Sequence, residues 1–150
     1  MKKLICTVVL ALASACGRPD VQLEVTAHMD AWGDAFNAHD VNALAALYSD
    51  DVDYTYTFEG QEGRGKDSLQ AFYGQAFTMT PDISVERKSY EIIEIDDGIA
   101  WGTGEFVDTF TGPMGQVVAP THASEVLIRI NGKQLVRADH ASFVPPPMGP

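Results

Sequence analysis

The chain has 150 residues, of which 21 are acidic and 10 basic, so its formal net charge is -11 at pH 7. A surface this acidic repels phosphate backbones and anionic lipid headgroups, and we therefore expect no nucleic-acid partner. The length allows one domain with a sizeable core. Only two cysteines are present, Cys6 and Cys16, and both lie close to the start.

The first sixteen residues have the pattern of an export signal. Lys2 and Lys3 precede an apolar run of about ten residues, too short to span a bilayer, which needs about 20. Ser14-Ala15-Cys16 follows and resembles the lipobox of bacterial lipoproteins, in which cleavage precedes a cysteine that then carries lipid. We expect a signal peptide over residues 1–15, lipid on Cys16, a tether to residue 20, and a location facing the periplasm, most simply at the outer membrane. Secretion with a free Cys16 is the alternative.

Helices are predicted in the first half of the remaining chain. Asp20 is a good N-cap, and the residues after it place apolar side chains on one face at a helical period. That face comprises Val21, Val25, Met29, Trp32 and Phe36, and His28 falls inside it. Asp40 caps a second, shorter helix to about residue 48, a turn at 49–51 leads into a strand over 52–58, and a loop over 60–65 precedes a third helix over 66–77.

The second half is predicted to be strands. They cover residues 83–95 and 99–111, and a loop around 112–115 leads to a hairpin over 119–144, whose turn is Asn131-Gly132. Helices followed by an antiparallel meander indicate an α+β fold, in which a strongly curved sheet encloses the early helices. The predicted domain is 21–144, followed by a proline-rich tail over 145–150.

The register of the hairpin decides which of its side chains share a face. A two-residue loop pairs His122 with Ala141, whereas a three-residue loop pairs His122 with His140. We expect the second register, because it also pairs Glu125 with Arg137 and places apolar residues opposite one another. One face would then carry both histidines, as the wall of a pocket.

Four segments of the chain resemble the nuclear transport factor 2-like superfamily, nearest to its SnoaL-like polyketide cyclases and ketosteroid isomerase relatives. They are AWGDAFNAHDVNALAALYSDDVDYTY (31–56), GRGKDSLQAFYGQAF (63–77), TFTG (109–112) and NGKQLVR (131–137). The resemblance implies a cone-shaped roll, in which a bent sheet wraps three helices around an apolar pocket.

The same resemblance implies two places for an acid-base residue. Ketosteroid isomerases use an Asp on the first strand, near Tyr56 of this chain, where no carboxylate stands. SnoaL-type cyclases use an Asp on the last strand, and alignment places Asp139 or His140 there. Our hypothesis takes His140 as the base.

The predicted site combines His140 with His122 and with Asp108, which alternates with Phe106 and Phe110 and so shares their face. An imidazole near neutral pKa can move protons at carbon or oxygen. Tyr56 would donate a hydrogen bond, and apolar residues would form the rest of the binding site: Trp32, Phe106 and Phe110, with His28 beside them. This set predicts isomerase, cyclase or dehydratase chemistry on a small hydrophobic molecule, without cofactor or metal.

Two other functions fit the same sequence. One is a non-catalytic ligand carrier or sensor with the same pocket. The other is a structural homodimer that buries the outer face of the sheet, which we expect to carry Leu127, Leu135 and Phe143.

Overall fold

The computed structural model describes residues 20–56 and 61–144. The predicted signal peptide, Cys16 and the proline-rich tail therefore lie outside the described residues. Within those residues, no helix is both long and apolar enough to cross a membrane.

Three helices form the inner layer. Helix α1 covers Val21–Asn37 and begins as predicted, because the Asp20 carboxylate accepts hydrogen bonds from the backbone amides of Gln22 and Leu23. Helix α2 is Val41–Ala45, and Asp40 caps it by accepting from the amide of Ala43. Helix α3 is Lys66–Met79.

Six strands form one sheet in the described part of the chain. They are β1 (Tyr48–Tyr56), β2 (Gln61–Arg64), β3 (Ser84–Asp96), β4 (Ile99–Gly112), β5 (Gly115–Ile130) and β6 (Lys133–Phe143). Their order is β2-β1-β6-β5-β4-β3, and every neighbouring pair is antiparallel except β1 with β6. The predicted α+β class is confirmed. The predicted turn at 49–51 is wrong, because these residues belong to β1. The predicted loop over 60–65 is wrong at residues 61–64, which form β2.

The core lies between the helices and the concave face of the sheet. Its fully buried aliphatic side chains come from both layers and include Val25, Leu44, Leu69, Leu127 and Val136. Each such side chain contributes about 1.5–3 kcal/mol by leaving water. This packing holds the helices at a fixed distance from the sheet, and so sets the space left for a pocket.

Near its turn, the hairpin has the two-residue register that the sequence analysis gave as the alternative, and farther from the turn it differs from both registers. Ile130 pairs with Lys133 across a two-residue Asn131-Gly132 turn, whose two residues have positive φ (51° and 78°), as a tight hairpin turn requires. Leu127 therefore pairs with Val136, and the expected three-residue loop is wrong. The face of β5 that enters the core carries Glu125 and Leu127.

A β-bulge at Arg137 then shifts the register of the hairpin once more. Val126 pairs with Ala138 and Glu125 with Asp139, so Arg137 is an extra residue in β6. The Arg137 side chain forms ion pairs with Asp51 and Asp53 of β1, at 3.3 and 3.0 Å. Because of the bulge, Asp139 faces the helices in place of His140.

The predicted dimer surface is also corrected. Leu127 is fully buried in the core, and Phe143 lines the pocket described below, so only Leu135 remains of the three residues expected on the outer face. The two-residue turn explains why Leu127 is buried. It places on the inner face of the sheet those β5 residues that a three-residue loop would place on the outer face.

His28 is buried in α1, within the apolar stripe as predicted. Its Nδ1 donates a hydrogen bond to the backbone carbonyl of Gln134 at 3.1 Å, and among the described residues its Nε2 has no partner. Burial lowers the pKa of His28 from 6.5 to about 4, and the hydrogen bond to Gln134 opposes that shift only in part.

We predict that His28→Asn reduces the loss of folding stability at low pH. The side-chain amide of the new asparagine can still donate a hydrogen bond to the carbonyl of Gln134. Between pH 6.5 and 4 the unfolded chain binds a proton at His28 that the folded chain does not, so stability falls as pH falls through this window. The loss is up to about 3 kcal/mol. Urea unfolding at several pH values measures the free energy of unfolding, and the values for the parent and for His28→Asn should converge towards pH 4. The variant His122→Asn, at an exposed position, should follow the parent. Parallel curves for parent and His28→Asn would contradict this account.

Candidate functional site

A cavity of about 400 Å³ lies between the helices and the concave face of the sheet. Its walls are mostly apolar, and three elements contribute a pair of aromatic side chains each: Trp32 and Phe36 from α1, Phe72 and Tyr73 from α3, and Phe106 and Phe110 from β4. The rings contact one another, as at Trp32 and Phe106, whose centroids are 5.9 Å apart in an edge-to-face arrangement. Such a cavity suits a flat apolar ligand of modest size.

Asp139 lies in the wall of this cavity and is held by tyrosines. Its Oδ2 accepts hydrogen bonds from the hydroxyls of Tyr56 at 2.7 Å and Tyr48 at 3.1 Å. The Tyr73 hydroxyl lies within hydrogen-bond distance of both of these hydroxyls, and the indole of Trp32 donates to Tyr48 at 2.9 Å. Both bonds to Asp139 go to Oδ2. Within the described chain, no hydrogen bond to its Oδ1 is found, which leaves that oxygen available to a ligand.

Glu125 is the second buried carboxyl group of the cavity and faces Asp139 across the β5–β6 ladder. It accepts a hydrogen bond from the Tyr90 hydroxyl. Tyr90 is on β3, two strands away, and reaches Glu125 by lying across Gly102 and Gly104 of β4. A Cβ at either glycine would overlap the Tyr90 ring. The Trp-Gly-Thr-Gly sequence of β4 therefore permits the contact that fixes Glu125.

The two carboxyl groups have unequal affinities for protons. Burial, and then the charge of Asp139, raise the pKa of Glu125 to about 8. Burial also raises the pKa of Asp139, to about 6, and the hydrogen bonds from Tyr56 and Tyr48 limit that rise because they stabilise the carboxylate. Near neutral pH the pair therefore holds one proton, mainly on Glu125. Burial also raises the pKa of Tyr48, Tyr56, Tyr73 and Tyr90, which remain hydrogen-bond donors.

An arrangement of this kind provides a base and an acid in one apolar cavity. The ionised Asp139 can accept a proton, and the protonated Glu125 can donate a hydrogen bond to a developing negative charge. Pairs of carboxyl groups whose environments separate their pKa values are typical of acid-base sites.

The predicted site residues fall into two groups. Five line the cavity: Trp32, Tyr56, Phe106, Asp108 and Phe110. The other three, His28, His122 and His140, are absent from its described lining. His122 is about half exposed and lies 3.5 Å from the Glu105 carboxylate, and His140 is exposed. The expected placement of His122 and His140 on the pocket wall is wrong, because the turn reverses β5 and the bulge reverses the end of β6.

The sequence analysis missed Glu125, Tyr48, Tyr73 and Tyr90 as site residues, and it weighed Asp139 without choosing it. One signal for Glu125 was available, since it alternates with Ala123 and Leu127 and therefore occupies an inward position whenever Leu127 does.

We predict that Glu125→Gln reduces the loss of stability at rising pH. The folded chain keeps its Glu125 proton up to about pH 8, whereas the unfolded chain releases it near 4.5, so the parent loses stability as pH rises through this window. The loss amounts to a few kcal/mol, and Gln can still accept from Tyr90. Chemical denaturation from pH 5 to 9 measures this loss of unfolding free energy, and Glu105→Gln, at an exposed position, is the control. An equal loss in parent and Glu125→Gln would show that Glu125 is not the protonated member of the pair.

Solved structures share this architecture. A protein of the cystatin-like fold from Caulobacter vibrioides superposes with a TM-score of 0.73 at 18% identity, over 83% of this chain and 90% of that chain. A putative scytalone dehydratase from Novosphingobium aromaticivorans superposes with a TM-score of 0.75 at 12% identity, over 83% of this chain and 84% of that chain. A ketosteroid isomerase-like protein from Erwinia carotovora atroseptica superposes with a TM-score of 0.70 at 22% identity, over 83% of this chain and 96% of that chain. At these identities the likeness establishes the fold.

Sequence comparison provides the family. No match was found among curated proteins. Residues 29–137, most of the chain, match the SnoaL-like domain. The chain therefore belongs to the SnoaL-like domain family.

Proposed function

We propose that this domain binds a small hydrophobic carbonyl compound and catalyses cofactor-free proton transfer at the carbon next to the carbonyl. The observation that carries the proposal is the Glu125–Asp139 pair, buried among tyrosines in an aromatic cavity. The role that the sequence suggested for His140 passes to Asp139, the neighbouring residue.

In this proposal Asp139 Oδ1 takes the proton from carbon, and the negative charge moves to the carbonyl oxygen of the ligand. The protonated Glu125 donates a hydrogen bond to that oxygen, and the low polarity of the cavity strengthens the bond. Return of the proton to a different carbon completes an isomerisation. Loss of a neighbouring hydroxyl as water, with a proton from Glu125, completes a dehydration. Attack of the enolate carbon on a second carbonyl of the same molecule forms an alkoxide, and transfer of the proton from Asp139 to that alkoxide completes a cyclisation.

The likeness to a putative scytalone dehydratase and to a ketosteroid isomerase-like protein is consistent with this chemistry. Their names describe those proteins, and the substrate of this chain remains open among small hydrophobic carbonyl compounds.

We predict that the protein accelerates exchange of the α-hydrogens of 2-tetralone with deuterium in D₂O, which NMR measures directly. Asp139→Asn should slow this exchange by about 10²–10⁴-fold, because it removes the base. The rate should be bell-shaped with pH, with limbs near 6 and 8, because Asp139 must be ionised and Glu125 protonated.

His122→Gln is the matched control, since this exposed histidine lies outside the described cavity lining, and the exchange rate should not change. Loss of exchange in His140→Gln together with retention in Asp139→Asn would overturn the assignment of the base.

The second candidate function is a non-catalytic carrier or sensor, which the predominantly apolar lining of the cavity also favours. It would bind 2-tetralone or a similar molecule with no acceleration of exchange in the parent. The exchange measurement therefore separates the two functions.

We further propose that the domain acts outside the cytoplasm, attached to the membrane by lipid on Cys16. The support is the sequence pattern of residues 1–16 alone. Export separates the domain from cytoplasmic polyketide synthesis, and so favours a substrate encountered at the cell envelope.

We predict that Cys16→Ser moves the protein from the membrane fraction to the soluble periplasmic fraction, because it removes the thiol that carries the lipid. Cys6→Ser, inside the same signal, is the control and should leave the protein in the membrane fraction. The mass of the N-terminal peptide of the mature parent measures the lipid directly. An N-terminus that begins elsewhere, or a Cys16 without lipid, would contradict the proposal.

A further inference from the structure

A third carboxylate, Asp108, lies in the wall of the same cavity and takes no part in the proposed proton transfer. It is on β4 between Phe106 and Phe110, and its Oδ2 accepts a hydrogen bond from the Thr121 hydroxyl at 2.8 Å. Burial raises the pKa of Asp108, and the bond from Thr121 opposes that rise. The predicted partner of Asp108 was a histidine, but the structure gives it a threonine.

Asp108 is well separated from the Glu125–Asp139 pair. Thr121 and Glu125 lie four residues apart on the same face of β5, which corresponds to about 13 Å along the strand. Ala123 lies between them on that face and also lines the cavity. The cavity thus has a polar group at each end and an apolar surface between them.

Asp108 accepts fewer hydrogen bonds than a carboxylate with a purely structural role would need. A carboxylate offers about four acceptor positions. Thr121 fills one of them, and within 20–56 and 61–144 no cation pairs with Asp108. A partly buried carboxylate with a single neutral donor lowers the stability of the fold, and a neutral hydroxyl or an apolar residue at the same position would lower it less. Such a cost is typical of positions that bind a ligand.

We propose that Asp108, positioned by Thr121, forms a second subsite that binds a hydrogen-bond-donating group, a hydroxyl or an ammonium, at the far end of the ligand. The inference rests on the proposed function and narrows its substrate class. The ligand is an elongated apolar molecule with a carbonyl or enol at one end, beside Asp139 and Glu125, and a donor at the other end. Two linked aromatic rings with a para oxygen at each end, together with a hydrogen bond of about 3 Å from each oxygen, span about 16 Å. This span lies between the strand distances from Glu125 to Thr121 (about 13 Å) and to Ala119, the residue opposite Asp108 (about 20 Å).

Rigid biphenyl probes test this subsite. In 4-hydroxybiphenyl the phenol imitates an enol at the Asp139 end, and the other end is apolar. The companion probes carry a hydroxyl, an aminomethyl group or a methoxy group at the 4′ position, of which only the first two can donate a hydrogen bond. Calorimetric titration of the full chain measures the affinity for each probe.

We predict that the 4′-hydroxy and 4′-aminomethyl probes bind the parent about tenfold or more tightly than the 4′-methoxy and unsubstituted probes. Asp108→Ala should abolish this preference, while 4-hydroxybiphenyl still binds. Asp108→Asn, which preserves the shape and one acceptor oxygen, should keep part of the preference for the hydroxyl and lose that for the aminomethyl group. Thr121→Val retains the carboxylate but removes the hydroxyl that positions it, and should reduce both preferences without abolishing them.

The outcomes separate this inference from the proposed function. If 4-hydroxybiphenyl binds the parent, loses affinity in Asp139→Asn, and the donor probes have no advantage, the subsite at Asp108 is overturned while the proposed ligand end at Asp139 stands. A donor advantage that persists in Asp108→Ala also overturns the subsite. If no probe binds the parent, both the ligand site at Asp139 and the subsite are wrong.

Discussion

A single extra residue in β6, Arg137, determines which side chains of the last strand reach the cavity. In an uninterrupted hairpin with the observed turn, Glu125 would face Ala138, and His140 would share the inner face. The bulge advances β6 by one residue, so that Asp139 turns inward opposite Glu125. Ion pairs from Arg137 to Asp51 and Asp53 of β1 hold the extra residue on the outer side of the sheet. Such partly exposed pairs contribute modest stability each, and their main effect here is to fix the geometry of the bulge.

The bulge produces a costly arrangement, because two carboxyl groups face each other away from water. The chain limits the cost in two ways. The hydroxyls of Tyr48 and Tyr56 stabilise the ionised Asp139, and Glu125 remains protonated up to a pKa of about 8. Burial raises both pKa values, and the tyrosine hydrogen bonds to Asp139 and the charge of Asp139 beside Glu125 keep the two values apart. Replacing the pair with apolar residues would relieve the penalty, and functional sites are commonly retained at such a cost to stability.

The sequence predicted most of the fold and about half of the site, for reasons that particular residues make clear. Asp20 and Asp40 mark helix starts through local hydrogen bonds, and the stripe from Val21 to Phe36 reports burial directly, so these elements were placed correctly. Asp108 and its two phenylalanines were also placed correctly, because strict alternation along one strand requires no knowledge of its partner. The histidines were misplaced because their orientation depends on the turn length and on the bulge. The two-residue turn has a local signal in Asn131-Gly132, to which cross-strand pairing was wrongly preferred. The bulge is not set locally, since Arg137 is held by carboxylates more than eighty residues earlier in the chain. The tyrosines around Asp139 come from β1 and α3 and meet only in the folded protein.

The central claim is that Asp139 and Glu125 share one proton at neutral pH, with Glu125 as the protonated member. Carbon-13 NMR of the side-chain carboxyl groups, titrated with pH in protein labelled at Asp and Glu, measures this most directly. We predict that Asp139 titrates near pH 6 and Glu125 near pH 8, and that Asp139→Asn moves the Glu125 titration to lower pH, because the charge of Asp139 is one cause of the raised pKa of Glu125. If both carboxyl groups titrate near their ordinary values of 3.8 and 4.5, the pair is not coupled, and the acid-base account of this pocket is wrong.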